Sequence, residues 1–195
     1  MFFFTHLHYA KLLYPELATL FHLDKKAFSY GNIKPDLPSK NRRAHLMEEY
    51  LEEVNQLMLK LEEHNGSTKE YSIILGEICH YLCDFFCYYH TSSFLHDKSL
   101  KHVGYELYSY FMLLISPLPK LAQQINQADS IPIQLEGYQI NSFLHKMIQT
   151  YDSKQHSPYR DSVFALHAAY HVCHGLSQIT YQKAYEADSI LESLA

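Results

Sequence analysis

The chain has 195 residues, 47% of them hydrophobic, which is enough for one domain with a sizeable core, and its scarce breakers, 6 Gly and 7 Pro, favour long helices. A formal net charge of −5 argues against a protein held to nucleic acid mainly by a broad basic surface, because neutralising phosphates needs clustered Lys and Arg. The basic cluster Lys40-Asn41-Arg42-Arg43 is long enough to hold a single phosphate. No apolar run is long enough to span a bilayer, and Met1 to His6 has neither a basic leader nor an extended apolar stretch. A cytoplasmic location is therefore expected.

In chain order, Thr5 is a candidate N-cap for a first helix that carries Leu7, Ala10, Leu13, Leu17, Leu20 and Phe21 at spacings of three and four, with Pro15 as a point of kinking. Residues 29–39 (Ser-Tyr-Gly-Asn-Ile-Lys-Pro-Asp-Leu-Pro-Ser) have the turn chemistry of a loop, and one of this length is a place to look for function. Helices are predicted over about 40–63, 68–90 and 99–115, the last stopped by Ser116-Pro117-Leu118-Pro119. Residues 126–137 read as a connector, and helices over about 138–150 and 161–192 flank a loop at 152–158. No segment alternates like a strand, so the expected architecture is all-α: a single domain over residues 1–195, built as a bundle of six to eight helices.

The stretch with the most chemistry is His80-Tyr81-Leu82-Cys83-Asp84-Phe85-Phe86-Cys87-Tyr88-Tyr89-His90, followed by His102-Val103-Gly104-Tyr105-Glu106. His80/Asp84 and His102/Glu106 are each spaced by four, which puts an imidazole and a carboxylate one helical turn apart on one face, within reach of the same cation. Asp84 lies among Ile78, Leu82, Phe85 and Phe86, where a carboxylate without a partner would be costly. On an uninterrupted helix His90 would sit roughly 15 Å beyond His80 and about 80° round the axis, so it belongs to a second ion. One ion then takes His80 and Asp84, the other His90, His102 and Glu106, and nitrogen plus carboxylate ligands suit zinc.

The remaining histidines read differently. His64, His96, His145 and His156 are expected in solvated positions. His167, His171 and His174 share one face of the last helix, but no carboxylate joins them at ligand spacing, which favours a core or surface role over a separate metal site. Cys79, Cys83 and Cys87 recur every four residues and with Cys173 suggest reduced, apolar side chains rather than disulfides. Tyr81, Tyr88, Tyr89, Tyr105 and Tyr108 are expected to pack, one or two of them being suited to a choline-like head group.

The order His-x3-Asp, then His, then His-x3-Glu, carried by His80, Asp84, His90, His102 and Glu106, resembles that of the zinc-dependent phospholipases C, whose helical fold is shared with zinc-dependent single-strand nucleases. The resemblance covers about residues 5–110. It implies that His6 matches the family's early histidine ligand, that Asp36 matches the loop aspartate that binds zinc and handles the attacking water, and that His45 matches the histidine after it. The implied first ion is held by Asp36, His45, His80 and Asp84, and the second by His90, His102 and Glu106. Asp84 would bridge to a third ion at His6. In secreted members that third ion also takes the free amino terminus, a Trp, whereas this chain contains no Trp.

The resemblance implies a phosphodiester hydrolase that uses two or three zinc ions, acting on a phospholipid head group or another small phosphodiester, with any membrane contact transient and at the surface. A nuclease of the same fold and a non-catalytic zinc-stabilised helical module are the alternatives. Nucleic acid is the less expected partner because the charge balance is acidic.

Overall fold

Thr5 does not cap the first helix. In the computed structural model, which describes residues 1, 3–19, 21–37, 46–91, 100–115, 137–152 and 155–193, helix α1 runs Phe3–Ala18 and carries Thr5 on its buried face with His6, Tyr9, Ala10, Leu13 and Leu17. The helix passes through Pro15. Its apolar stripe thus delivers His6 into the interior.

The segment expected as a loop at 29–39 is partly helical. Asp24 accepts the Ala27 N–H at 2.8 Å and caps helix α2 (Lys25–Gly31), and a 3₁₀ turn (Lys34–Asp36) follows with Pro35 inside it. Asp24 also donates its own N–H to the buried Ser72 Oγ at 2.9 Å, which ties the start of α2 to the core. A sequence reading weighted towards Gly31, Pro35 and Pro38 misses this cap.

Helix α3 (Met47–Glu62) begins after Leu46, and the earlier part of the helix predicted from residue 40 lies outside the described residues. Helix α4 (Thr68–Asp84) opens with a capping box, Ser67 Oγ accepting the Glu70 N–H and Glu70 Oε2 accepting the Ser67 N–H. From Ile78 to Asp84 every residue of α4 is buried, because α2, α3 and the last helix all pack on it. Helices α5 (Leu100–Ile115), α6 (Gly137–Asp152) and α7 (Pro158–Ser193) complete the bundle, α7 starting with Pro at a position where its missing N–H removes no hydrogen bond. Ala165, Ala168, Ala169 and Cys173 keep its buried face narrow. Among the described residues there are seven α-helices and no strand, and no helix is long and apolar enough to cross a membrane.

One boundary matters for function. The helix predicted over 68–90 stops at Asp84: Phe85 is still αR, Cys87 is extended, and residues Tyr88–His90 form a separate 3₁₀ turn. The Tyr88 N–H, which a continuing helix would direct to Asp84, is instead given to Asp161 Oδ2 on α7 at 3.1 Å. The chain folds back, and the ideal-helix separation of His90 from His80 does not apply.

Helices α2 and α4 cross at two glycines. A Cβ at Gly76 would stand 2.4 Å from the Phe28 carbonyl oxygen and 2.9 Å from Gly31 Cα, both of them backbone atoms that cannot swing aside. Gly76→Ala is therefore expected to lower stability by about 1–3 kcal/mol, although alanine is the better helix former by about 1 kcal/mol. Chemical denaturation against wild type measures it.

Candidate metal centre

Five segments bring donor atoms to one end of the bundle: the start of α1 (His6), the 3₁₀ turn after α2 (Asp36), the last turn of α4 (His80, Asp84), the 3₁₀ turn that follows (His90) and the first turns of α5 (His102, Glu106). Asp84, 1% exposed, is the hub. Its Oδ1 lies 3.2 Å from His6 Nε2 and 3.5 Å from His90 Nδ1, and its Oδ2 lies 3.4 Å from His80 Nε2. Asp36 stands at the rim, its two oxygens 3.8 Å from His6 Nε2 and 3.9 Å from His80 Nε2. On the other side Glu106 Oε1 lies 3.2 Å from His90 Nε2 and 2.9 Å from His102 Nε2.

His80 shows how the fold prepares a ligand. Its Nδ1 is 2.8 Å from the Asn32 carbonyl oxygen, which can only accept, so Nδ1 carries the proton and Nε2 turns towards Asp84 and Asp36. The ring stacks on that of His6 at 3.9 Å between centroids. His102 is held in the same manner by stacking on Tyr89, 5.0 Å between centroids and 12° between planes.

Two groups of donor atoms have all members within 4.8 Å of one another: His6, His80 and Asp84, and Cys87, His90 and Glu106. Either can hold a metal ion. The side chains also have the character of ligands, since both ring nitrogens of His6 and Nδ1 of His90 are buried with no hydrogen-bond partner among the described residues. Leaving such atoms unsatisfied costs about 1–3 kcal/mol each, which a metal would offset.

The amino group of Met1 also lies here, 2.6 Å from Asp84 Oδ1, 3.4 Å from Glu106 Oε1 and 3.2 Å from His90 Nε2. Burial would lower the pKa of this ammonium, but Asp84 and Glu106 outweigh burial and hold it well above its usual value. Conversely, burial would raise the Asp84 carboxyl, and the amino group with His90, His6 and His80 holds it well below the usual carboxylate range. Glu106 is depressed by the same amino group and by His102 and His90. Positive charge is thus what this cluster of carboxylates attracts.

Residues 5–158, from just before His6 to the start of α7, match the family model described as zinc dependent phospholipase C. The chain belongs to that family. The match extends well past Glu106, where the motif resemblance ends, and takes in α6. No curated protein and no solved structure matched the chain. Family membership makes zinc the metal and a phospholipid the substrate class to consider first.

Of the site residues expected for this phospholipase C family, His6, Asp36, His80, Asp84, His90, His102 and Glu106 come together, and His45 lies outside the described residues. Sequence reasoning missed Cys87, which stands with His90 and Glu106. Cys87 is three residues from both Asp84 and His90, a spacing that was available, but its regular recurrence with Cys79 and Cys83 read as an apolar stripe. All four cysteines are free and buried.

Two other histidine expectations have different outcomes. His156 is half-buried, its ring stacking on Tyr88 at 4.5 Å and meeting Tyr151 edge-on at 4.8 Å. His167 and His171 approach to 4.4 Å between centroids, yet the α7 histidines do not converge with a third donor among the described residues. Burial and the two neighbouring histidines push His171 down to about 4, the behaviour of a neutral core imidazole.

Proposed function

We propose that this zinc-dependent phospholipase C family member hydrolyses a phosphodiester, a phospholipid head group or a related small molecule, at a cluster of two or three zinc ions. The first ion is assigned to Asp36, His45, His80 and Asp84, the second to His90, His102 and Glu106, and a third to His6 with Asp84. The observation that carries this reading is the position of Asp84, whose Oδ1 faces imidazole nitrogens of His6 and His90 and whose Oδ2 faces that of His80, all at 3.2–3.5 Å. A carboxylate so placed can bridge ions, and a closely spaced pair of ions is what phosphoryl hydrolysis uses.

When bound, zinc polarises phosphoryl oxygens and acidifies water. The chain's own residues supply orientation: Asn32 fixes the His80 tautomer, and Tyr89 fixes the His102 ring. Asp36, a quarter exposed at the rim of an otherwise buried group, is suited to orient the attacking water and take its proton. Transient contact with a lipid surface is supported by α5, which carries His102 and Glu106 and exposes Val103, Leu107, Phe111 and Leu114 along one side.

The test is metal analysis paired with activity on a chromogenic phosphodiester, phosphatidylcholine vesicles and single-stranded DNA. At least two zinc ions per chain are expected, with hydrolysis of the first two substrates lost on chelation and restored by zinc. Bound zinc without hydrolysis would establish the non-catalytic module, and preference for DNA the nuclease. A zinc-free protein would end the reading.

A further inference from the structure

Asp161 stands on α7, beyond the residues matched to the family, and its carboxylate is buried. One of its oxygens, Oδ2, accepts both the Tyr88 N–H at 3.1 Å and the Tyr105 hydroxyl at 2.7 Å. The other, Oδ1, accepts the Tyr151 hydroxyl from α6 at 2.9 Å. Tyr88 opens the 3₁₀ turn that ends on His90, and Tyr105 sits between His102 and Glu106 on α5. A single oxygen atom therefore ties together the two separate segments from which the second group of donors is drawn.

We propose that Asp161 is a positioning residue for the His90, His102 and Glu106 site: it ends α4 by withdrawing the Tyr88 N–H from the helix and locks the His90 turn against α5. The proposal rests on the zinc assignment above. The single oxygen of a neutral amide could accept at most two of these bonds, but a carboxylate accepts all three at once, and hydrogen bonds to a charged acceptor are roughly twice as strong as neutral ones. The Tyr88, Tyr89 and Tyr105 rings pack at 5.3–5.8 Å around this point, so a shift in one segment is passed to the other.

Three variants separate positioning from simple structural support. Asp161→Ala removes the whole hub, Tyr105→Phe removes only the bond on the metal-bearing helix, and Tyr151→Phe removes only the bond to α6, which carries none of the assigned ligands. Zinc affinity is read by chelator competition, alongside thermal unfolding of the chelator-treated protein. Affinity for part of the bound zinc should weaken about 10–100-fold in Asp161→Ala and Tyr105→Phe. Tyr151→Phe should keep wild-type affinity even if its melting temperature falls.

Wild-type zinc affinity in folded Asp161→Ala would overturn the proposal. If that variant does not fold, wild-type affinity in Tyr105→Phe overturns it equally, and so does equal loss of affinity in Tyr105→Phe and Tyr151→Phe, the pattern of a merely structural hub. Absence of zinc from the wild-type protein is a separate result, because it removes the metal assignment itself.

Discussion

Asp84→Asn is expected to strip the protein of most of its zinc and to reduce phosphodiesterase activity by about 10³-fold or more, a barrier increase of roughly 4 kcal/mol. The size follows from the place of Asp84 in the cluster. Asp84 is the ligand assigned to two ions, the first and the third, with His80 facing its Oδ2 and His6 and His90 facing its Oδ1. An amide oxygen carries no charge to hold two cations close together, so the two ions assigned to Asp84 weaken at once. The metal-free protein should lose stability as well, because the Met1 ammonium 2.6 Å away would remain buried without its nearest counter-charge. Breaking a buried pair from one side costs about 3–5 kcal/mol. Metal analysis, kinetics and denaturation of the chelated protein measure the three effects independently, and retention of full activity with bound zinc would remove Asp84 from the centre of the site.

How much of this centre could be seen in the sequence depends on whether each residue's position is set locally. His80/Asp84 and His102/Glu106 are fixed by helical periodicity, and both pairs are indeed held one turn apart, on α4 and α5. The apolar spacing of α1 likewise turns His6 inward. His90 is different. Nothing between Asp84 and His90 breaks a helix by propensity, and the break comes from Asp161, a residue 71 positions beyond His90, competing for one backbone N–H. Tertiary hydrogen bonding thus overrides a local pattern: on an uninterrupted helix His90 would sit roughly 9 Å along the axis from Asp84, and the turn instead brings its Nδ1 to 3.5 Å from Asp84 Oδ1. The same reasoning accounts for Cys87, which an uninterrupted α4 would have kept in line with Cys79 and Cys83, and which the turn brings to His90 and Glu106 instead.

Asp36→Asn should separate catalysis from metal binding. Of the carboxylates assigned to this site, Asp84 is buried between rings, whereas Asp36 is reached by solvent and stands farther from the imidazoles, at 3.8 and 3.9 Å against 3.2 and 3.4 Å. A group at that distance contributes less to holding a cation than one within it, but it faces the side from which water and substrate arrive. Asparagine keeps the shape and one oxygen but cannot take a proton, so kcat should fall by about 10²–10⁴-fold, the range of a lost general base. Zinc content should stay near wild type and KM should change little, because the interaction removed belongs to the transition state rather than to the bound substrate. Loss of zinc in parallel with activity would make Asp36 a ligand and nothing more. Full activity would leave the water to be activated by the metal cluster alone, with the 3₁₀ turn that carries Asp36 serving only to close the rim.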